Sequence, residues 1–428
     1  MKKLMLVVFA ASTLSAFAGG FALNQASAKA TAMGGAVVGK AVDGSAVFYN
    51  PATMSDFKST TITVGTIIEK PYADVSVSGK HQGHMDPGTF LLPHAYLIQP
   101  IGESGFTFGM GIAPEYGIGS KYRDSWDLAW NTTETTVQGV VFSPNLAYDI
   151  TEDWSVAAGF RLLYFTFEQY QSPNIFYPGL GKVGHTNTRL KGDNGCADWG
   201  WEVSTRYKIL DNLSIGAMYR SYIDTRIRGK LRTSKGAYGE TVPAMLQAGI
   251  DQQLAQRNGR GGANIRLPQQ VSVGINYDPI ETVHLGYTMM WTGWSDLESL
   301  HFDLPGGDKD IDLGWRDTFR FGVGGAWDFA EDWTWMLSYV YDMDPSSEDD
   351  NRGSTMLPAG NRHMAVTGLA WTWGDFEIAA CYGLVFMKGE NQKYWDKDNG
   401  ETAANAKIFK TNAGYSHQAG VTLTYRFG

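Results

Sequence analysis

The stretch Val421-Thr422-Leu423-Thr424-Tyr425-Arg426-Phe427, near the end of the sequence, alternates strictly between large apolar and polar residues. Successive side chains of a β-strand point to opposite faces, so this stretch would present one apolar face and one polar face. The same period of two recurs from about residue 60 onward, for example at 213–219 and 270–277. The sequence therefore predicts an all-β protein in which each strand has one apolar face and one polar face.

Short acidic or amide turns separate pairs of these strands, and each follows an aromatic residue closely. The turns lie at 150–154, 209–213, 278–282, 330–333 and 374–375. Between successive turns lie two strands and a longer, polar, Gly-rich connection, so turns and long connections fall at opposite ends of the sheet. This asymmetry, with aromatic residues at the strand ends, is typical of a transmembrane antiparallel β-barrel of the outer membrane.

Segments of suitable length predict about fourteen strands within residues 58–428. They begin near Thr60, Thr89, Ser104, Glu134, Trp154, Ala197, Leu213, Leu267, Val283, Gly314, Trp333, Arg362, Phe376 and Gly414. An even number returns both chain ends to the same side of the membrane, as in bacterial barrels. A soluble β-sandwich or propeller would also show alternating strands, but it has no need of 14 Trp residues near strand ends.

The first eighteen residues are predicted to be a cleaved secretory signal peptide. Lys2 and Lys3 precede an apolar run at 4–11, and small residues stand at 16 and 18. The run is shorter than the roughly 20 residues that span a bilayer, which disfavours a membrane anchor. We therefore expect export and, with the barrel prediction, location in the bacterial cell outer membrane.

Composition excludes several other classes of protein. No apolar run after the N-terminus approaches the length of a transmembrane helix. The net charge of -9 gives no electrostatic reason to bind nucleic acid, since phosphate neutralisation needs clustered Lys and Arg. Cys196 and Cys381 would pass through an oxidising compartment, and both a disulfide and two unrelated thiols are compatible with the sequence.

Residues 19–57 do not alternate, and they are rich in Ala, Gly and Ser. Small residues allow close packing in a confined space, while Pro51 restricts its own φ and holds Asn50 in an extended conformation. We predict that this segment is a hatch, a plug inside the barrel lumen. A periplasmic linker is the alternative.

The same segment and several strand starts resemble a known family. Phe21-Ala22-Leu23-Asn24 and Asn50-Pro51-Ala52 are similar to the hatch of the outer-membrane long-chain fatty acid transporter family (FadL/TodX type), and the likeness continues at 267–268, 287–295 and 314–317. The resemblance implies a monomeric fourteen-stranded barrel that takes up hydrophobic molecules by passive diffusion. It also implies a set of hatch and gate residues: Phe21, Leu23, Asn50, Pro51 and Ala52.

Pro114-Glu115-Tyr116-Gly117 interrupts the third predicted strand. A Pro removes a hydrogen-bond donor from the sheet and a Gly weakens a strand interior, so we expect a bulge or break here. The resemblance implies that this strand kinks inward beside the hatch and leaves a lateral opening in the wall. A kink without function is the alternative.

Two long external loops, about 172–196 and 233–266, carry apolar residues that suggest a groove. In the second loop these residues recur at helical spacing after Pro243, which suits a first helical turn. The resemblance implies a hydrophobic capture groove between the two loops, while plain packing of one loop on the other is the alternative. The predicted groove residues are Ile175, Phe176, Leu180, Val242, Met245, Leu246, Ile250 and Leu254.

The resemblance makes a long-chain fatty acid the leading ligand prediction. Fatty-acid-binding members hold the carboxylate with basic side chains, but Gln171 and Ile311 stand at two of those positions here. Lys309, Arg316 or Arg320 are the predicted substitutes. Because related members take up uncharged aromatic hydrocarbons, such compounds are the alternative ligand.

Other chemistries find less support in the sequence. Asp308, Asp310 and Asp312 alternate as in an EF-hand, but Leu313 and Phe319 stand where that loop needs Gly and Glu. No His is recognisably paired with a nucleophile, as a barrel enzyme would require, and a general porin or adhesin gains nothing from a plug. We expect no enzyme activity, no metal and no cofactor, and we expect as partners a hydrophobic ligand, outer-membrane lipid and lipopolysaccharide.

Overall fold

The computed structural model describes most of the chain after the predicted signal peptide, which lies outside the described residues. They are 20–85, 88–177, 181–196, 198–238, 242–297, 299–305, 307–346, 355, 360–389, 391–395 and 402–428. Within these residues, no helix has the length and apolar character needed to cross a bilayer.

Most of the described chain is strand, and the helices are short. The strands are β1 (Thr61–Val77), β2 (Lys80–Met85), β3 (Phe90–Pro100), β4 (Phe106–Lys121), β5 (Glu134–Asp149), β6 (Trp154–Gln171), β7 (Asn174–Tyr177), β8 (Gly181–Asp193), β9 (Asp198–Leu210), β10 (Leu213–Arg220), β11 (Ile223–Tyr238), β12 (Gly259–Leu267), β13 (Gln270–Ile280), β14 (Val283–Thr292), β15 (Ser299–Asp303), β16 (Lys309–Asp312), β17 (Thr318–Ala330), β18 (Trp333–Asp342), β19 (Arg362–Trp373), β20 (Phe376–Met387), β21 (Asn391–Tyr394) and β22 (Lys407–Arg426). The helices are α1 (Ala28–Ala32), α2 (Ala46–Tyr49) and α3 (Ala244–Gln256), with 3-10 turns at Pro51–Asp56, Trp294–Asp296 and Ala403–Asn405.

Fourteen of the described strands close an antiparallel barrel. Around the barrel the order is β1-β3-β4-β5-β6-β9-β10-β13-β14-β17-β18-β19-β20-β22. The first and last strands close it, from Thr61 opposite Arg426 to Val77 opposite Phe409. The predicted barrel is confirmed, although its last strand begins at Lys407 rather than near Gly414 because it extends beyond the wall to pair with β21.

The outer wall of the barrel is apolar and its inner wall is polar. In β22, Val421 and Leu423 are exposed, whereas Thr422 and Thr424 are buried. This is the pattern that lipid outside and polar contents inside require of each strand. Exposed aromatic residues flank the short turns, as predicted: Tyr148, Trp154, Tyr207, Tyr277, Trp327, Trp333 and Trp373.

The long connections at the opposite end carry additional strands. Five of them continue the sheet from the upper part of β6 in the order β6-β8-β11-β12-β15-β16, and we call β8, β11, β12, β15 and β16 the external sheet. One of its faces is buried and apolar, with Leu190, Ile227, Leu231, Ile265 and Phe302. The two long loops of the sequence prediction thus hold strands as well as the predicted helix, α3.

Residues 20–57, which we call the N-terminal segment, lie inside the barrel wall. Almost all of their side chains are buried. The amide of Ala28 donates to Thr422 Oγ1 of β22 at 2.8 Å, and the amide of Gly39 donates to Asn276 Oδ1 of β13 at 2.9 Å. Since β13 and β22 stand on opposite sides of the barrel, the segment crosses the lumen between them.

Glycines on the inner wall allow the backbone of the N-terminal segment to approach the strands. A Cβ placed on Gly286 of β14 would lie 2.0 Å from the carbonyl oxygen of Ala36. On Gly324 of β17 it would lie 2.2 Å from the carbonyl oxygen of Met33. No side chain fits at such distances, so these two positions require glycine.

A Gly286→Val variant is expected to displace the N-terminal segment, because the new side chain must occupy the position of the Ala36 carbonyl. The expected result is a higher ion conductance in planar bilayers, with heat-modifiable gel migration showing that the barrel still assembles. Gly325→Val is the matched control, since the nearest atom to its Cβ, at 3.3 Å, is Cδ2 of the exposed Leu285. Equal conductance of the two variants would contradict the prediction.

Candidate functional site

The third barrel strand, β4, loses its partner on one side. β4 follows β5 from Phe106 to Lys121 with a bulge between Pro114 and Tyr116, which lies within the predicted break. It pairs with β3 only as far as Ile112, opposite Ala95. Beyond Ile112, β4 is therefore not paired with β3, its neighbour in the barrel.

The N-terminal segment takes the place of β3 along this edge. Ala22 forms an isolated bridge with Tyr116. The amide of Leu23 donates to the carbonyl of Glu115 at 2.8 Å, and the amide of Gly117 donates to the carbonyl of Phe21, also at 2.8 Å. The gap in the wall is thus closed by backbone hydrogen bonds to residues that are not part of the barrel.

The side chain of Glu115 belongs to a buried group of charges, which we call the bulge cluster: Glu115, Arg161, Glu202 and Arg220. Glu115 accepts a hydrogen bond from Arg161, and Arg220 Nη1 lies 3.9 Å from the same carboxylate. Arg220 Nε lies 3.3 Å from Glu202 Oε2, and Asn145 Nδ2 donates to Glu202 Oε1 at 2.7 Å. Two carboxylates balance two guanidinium groups, which buried ions require for stability.

The bulge cluster also contacts the N-terminal segment. Arg220 donates to the carbonyl of Phe48, and its guanidinium carbon lies 4.3 Å from the centroid of the Phe48 ring. Arg161 Nη2 lies 3.3 Å from the Tyr116 hydroxyl. One set of ions therefore connects the bulge in β4 to the segment inside the lumen. The sequence did not reveal this set because its members come from β4, β6, β9 and β10.

An apolar cavity lies between the kinked strand, the external sheet and the start of the N-terminal segment. Its volume is about 30 Å³, room for about two water molecules. The lining residues, none of them charged, are Phe21, Ile118, Val137, Phe165, Phe167, Ile265, Leu297, Leu300, Leu313 and Trp315. A larger ligand must displace a lining side chain. Of these lining residues, Phe21 alone is among the site residues predicted from the sequence.

Phe21 is the aromatic residue through which the N-terminal segment closes this cavity. Its ring centroid lies 4.9 Å from that of Trp294, and 5.9 Å from those of Trp315 and Tyr116. Such tilted contacts are favourable geometries for aromatic pairs. The ring therefore bridges the kinked strand and the external residues above the cavity.

The remaining predicted hatch and gate residues are all buried within the N-terminal segment. Asn50 Nδ2 donates to the carbonyl of Val38 at 2.7 Å and to that of Thr205 in β9 at 3.1 Å. Its Oδ1 accepts from the amide of Ala52 at 3.0 Å. Pro51 begins the 3-10 turn that Asn50 caps. Asn50 thus both shapes the segment and ties it to the barrel wall.

The two predicted loops do contact each other at the external end. Val242, Ile250 and Leu254 of the α3 region form a cluster with Val183, and Ile175 packs against it. Phe176 is 41% exposed beside this cluster. Leu180 and the side chains of Met245 and Leu246 lie outside the described residues. The structure brings the loops together, and ligand capture by them stays a prediction.

None of the three predicted carboxylate partners lines the cavity. Lys309 and Arg316 are exposed. Arg320 is buried on β17, where Nη1 donates to the carbonyl of Gly34 at 3.3 Å. Arg320 therefore binds the backbone of the N-terminal segment in this structure.

Two cysteines and one exposed cluster of a His and two Asp residues were also candidates for reactive or metal-binding groups. Cys196 and Cys381 are both free thiols, so the two are not paired. Among the described residues, His301, Asp303 and Asp308 stand close enough to share a cation. All are exposed to solvent to some degree, and no other feature of the structure points to a metal there.

A closed barrel with an apolar outer wall, a gap sealed by its own N-terminal segment and an apolar cavity behind that gap defines a membrane channel for hydrophobic compounds. The model of the family described as "Outer membrane protein transport protein (OMPP1/FadL/TodX)" matches residues 8–427, and the chain belongs to that family. It is therefore a protein of the bacterial outer membrane, and its family consists of transporters rather than enzymes.

Individual relatives are similar to this chain over nearly its whole length. The long-chain fatty acid transport protein of Escherichia coli O6:H1 is 23% identical, and the match covers 97% of this chain and 98% of the relative. The crystal structure of a Pseudomonas aeruginosa FadL homologue aligns with a TM-score of 0.81 at 19% identity, covering 96% of this chain and all of the other. The Pseudomonas putida toluene transporter TodX aligns with a TM-score of 0.69 at 16% identity, covering 95% of this chain and 99% of the other.

Removing one guanidinium from the bulge cluster is expected to be strongly destabilising. Arg220→Met leaves Glu115 and Glu202 short of a partner and removes the donor to Phe48, so unfolding should become easier by about 3–5 kcal/mol. Denaturant unfolding in detergent micelles measures this. In the double variant Glu202→Gln/Arg220→Met, one unpaired carboxylate is neutral, and part of the loss should return. A double variant no more stable than Arg220→Met would contradict the charge-balance explanation.

The external hairpin β15–β16 should respond to pH through His301. The hydrogen bond that His301 Nδ1 donates to Asp310 Oδ1, at 2.6 Å, together with the charges of Asp310 and Asp303, raises the pKa of His301 above its ordinary value. Because the folded-state pKa is raised, the stabilisation is complete at low pH and is lost as pH rises through that pKa. Imidazole NMR should show a lower pKa in Asp310→Asn, and a smaller change in the matched variant Asp312→Asn, because Asp312 stands opposite Ser299 in the hairpin rather than opposite His301.

Proposed function

We propose that the protein is a channel for passive uptake of hydrophobic small molecules across the outer membrane. The observation that carries this proposal is the gap between β3 and β4, which the N-terminal segment closes and which lies beside a cavity lined by apolar and aromatic side chains. In the proposed route, a ligand is captured between the external loops, moves into the cavity and leaves through the gap in the wall.

A route of this kind suits a hydrocarbon better than a water-filled pore does. Transfer from water to an apolar site is favourable by about 0.8 kcal/mol per CH₂ group. A pathway that keeps the ligand in contact with apolar side chains, and then delivers it to lipid, avoids returning it to water. The cluster of Val183, Val242, Ile250 and Leu254 and the cavity provide two such sites.

In this proposal the N-terminal segment is the hatch, comprising residues 19–57, and residues 58–428 form the barrel. The cavity is too small for a ligand as large as a hydrocarbon chain, so Phe21 has to move when a ligand enters. That movement would strain the backbone hydrogen bonds that Phe21 and Leu23 form with the kinked strand, β4. Ligand entry and opening of the gap are therefore the same event, and a monomer suffices for it.

Two ligand classes fit the route. The relative from Escherichia coli is named for long-chain fatty acids and the structure from Pseudomonas putida for toluene. The uncharged lining of the cavity suits toluene-like compounds, and it suits the hydrocarbon tail of a fatty acid equally well. A fatty acid would in addition need a cation for its carboxylate, and Arg316, exposed beside the lining residue Trp315, is the nearest in sequence.

Phe167→Gln tests the role of the cavity, because it places a polar group where an apolar ligand would lie. In cells lacking their own transporter, uptake of labelled oleate or toluene should fall by about tenfold. Phe386→Gln is the matched control, since Phe386 is 51% exposed on the outer wall. If the uptake of only one ligand, oleate or toluene, is lower in Phe167→Gln than in the unmodified protein, that ligand identifies the class of compound that the channel carries.

Two results would contradict the proposal. One is unchanged uptake of both ligands by Phe167→Gln at equal surface abundance, which would remove the cavity from the route. The other is a large, steady ion conductance of the unmodified protein in planar bilayers, which would indicate a general porin.

A further inference from the structure

The face of the external sheet that points away from the cavity carries a row of cations. Along β11, exposed basic residues alternate with buried residues, among them Ile227 and Leu231, that belong to the apolar cluster above the cavity. The exposed residues of this row are Arg226, Arg228, Lys230 and Arg232. Because alternate residues of a strand share a face, all four project from the same side of the sheet.

Neighbouring strands add further cations at the same level. Lys230 stands opposite Lys191 of β8 on one side and opposite Arg260 of β12 on the other. Arg232 stands opposite Arg189 of β8. Like charges directly across a sheet repel each other, so this face is one that an anion would stabilise.

Acidic residues also stand on this face, among them Glu168, Asp193, Asp224 and Asp303, but the ion pairs they form are with cations outside β11. Glu168 pairs with Arg189 at 2.6 Å and with Lys191 at 2.9 Å. Asp193 stands opposite Arg228 in the register, yet the two form no ion pair. In the described part of the chain, no carboxylate lies within 4.0 Å of the basic groups of Arg228, Lys230, Arg232 or Arg260, so four cations share one surface without an acidic partner.

The position of this face relative to the membrane indicates what it meets. The external sheet continues directly from β6, whose lipid-facing side chains lower down include Phe160 and Leu162, 58% and 45% exposed. On the same face, Glu168 stands six residues beyond Leu162 and opposite Lys191. At about 3.3 Å per residue along a strand tilted by about 40°, Glu168 and Lys191 lie about 15 Å above Leu162 of the apolar wall.

We propose that this cationic face binds the phosphate groups of lipopolysaccharide, the phosphorylated glycolipid of the outer leaflet. Charge complementarity and continuity with the lipid-facing wall both favour a lipid over a soluble anion. Arg side chains suit the role, since their planar donor groups match phosphate oxygens in pairs. The net charge of -9 conceals the site, because it sums over the whole chain and does not show where the charges lie.

The site is independent of the proposed uptake route, because it uses the opposite face of the external sheet from the cavity. A bound glycolipid would nevertheless bridge β8, β11 and β12, and these strands cover the cavity with their apolar side. The lipid environment would in this way hold the roof of the cavity in place.

The test measures binding of fluorescent diphosphoryl lipid A to the full-length protein in detergent micelles. The variant is Arg228→Gln/Lys230→Gln/Arg232→Gln. The matched control, Lys80→Gln/Lys388→Gln/Lys410→Gln, removes three exposed external cations that lie away from this face. Affinity should fall by at least about tenfold in the first variant and by less than about twofold in the control. Dephosphorylated lipid A should bind the unmodified protein as weakly as the first variant binds the diphosphoryl form.

Equal losses in the two triple variants would overturn the proposal, because net charge alone would then explain binding. Equal affinity for phosphorylated and dephosphorylated lipid A would also overturn it. Heat-modifiable gel migration confirms that each variant retains its barrel. Uptake failure in Phe167→Gln bears on the cavity alone and leaves this result unaffected.

Discussion

The unpaired edge of β4 is the constraint on which the rest of the structure depends. Within a membrane, a backbone group without a hydrogen-bond partner costs several kcal/mol, and barrels normally avoid this cost by closing every edge. Here β3 leaves β4 at Ile112, and the N-terminal segment supplies the missing partners through Phe21 and Leu23. The wall is therefore complete only while that segment is in place.

The bulge cluster also makes the barrel wall depend on the N-terminal segment, here through charges rather than backbone hydrogen bonds. Glu115 points inward from the bulge, and Arg161 and Arg220 neutralise it only because β6 and β10 reach the same depth of the wall. Arg220 also holds the Phe48 carbonyl. Buried charges are stable in balanced groups and costly when separated. The bulge, two distant strands and the N-terminal segment are consequently held as one unit.

The external sheet performs two tasks with its two faces. Its apolar side chains cover the cavity, and its basic side chains project from the opposite side, an alternation that follows directly from the period of a strand. The same rule that places Val421 against lipid and Thr422 in the lumen thus recurs above the membrane. In the external sheet, the polar face carries many charged residues, whereas the polar face of β22 carries mainly uncharged ones.

The sequence by itself determined the elements that depend on local patterns. Alternation located all fourteen barrel strands, acidic turns and aromatic residues oriented them, and Pro114 with Gly117 marked the irregular strand, because each of these signals is contained within a few consecutive residues. The loop cluster was also partly foreseen, since α3 has a helical period of its own.

Only the tertiary structure decided which distant residues meet. The lining residues of the cavity come from the N-terminal segment, from strands that include β4, β5, β6, β12 and β15, and from the connections between strands. No local sequence pattern indicates that these distant residues meet. Arg320 is a predicted partner for a ligand carboxylate, and only the tertiary structure shows that it also donates to the Gly34 carbonyl. The basic residues of 226–232 alternate within a single strand, but only folding decided that Lys191 and Arg260 stand beside them, because the register between strands is not contained in either strand's own sequence.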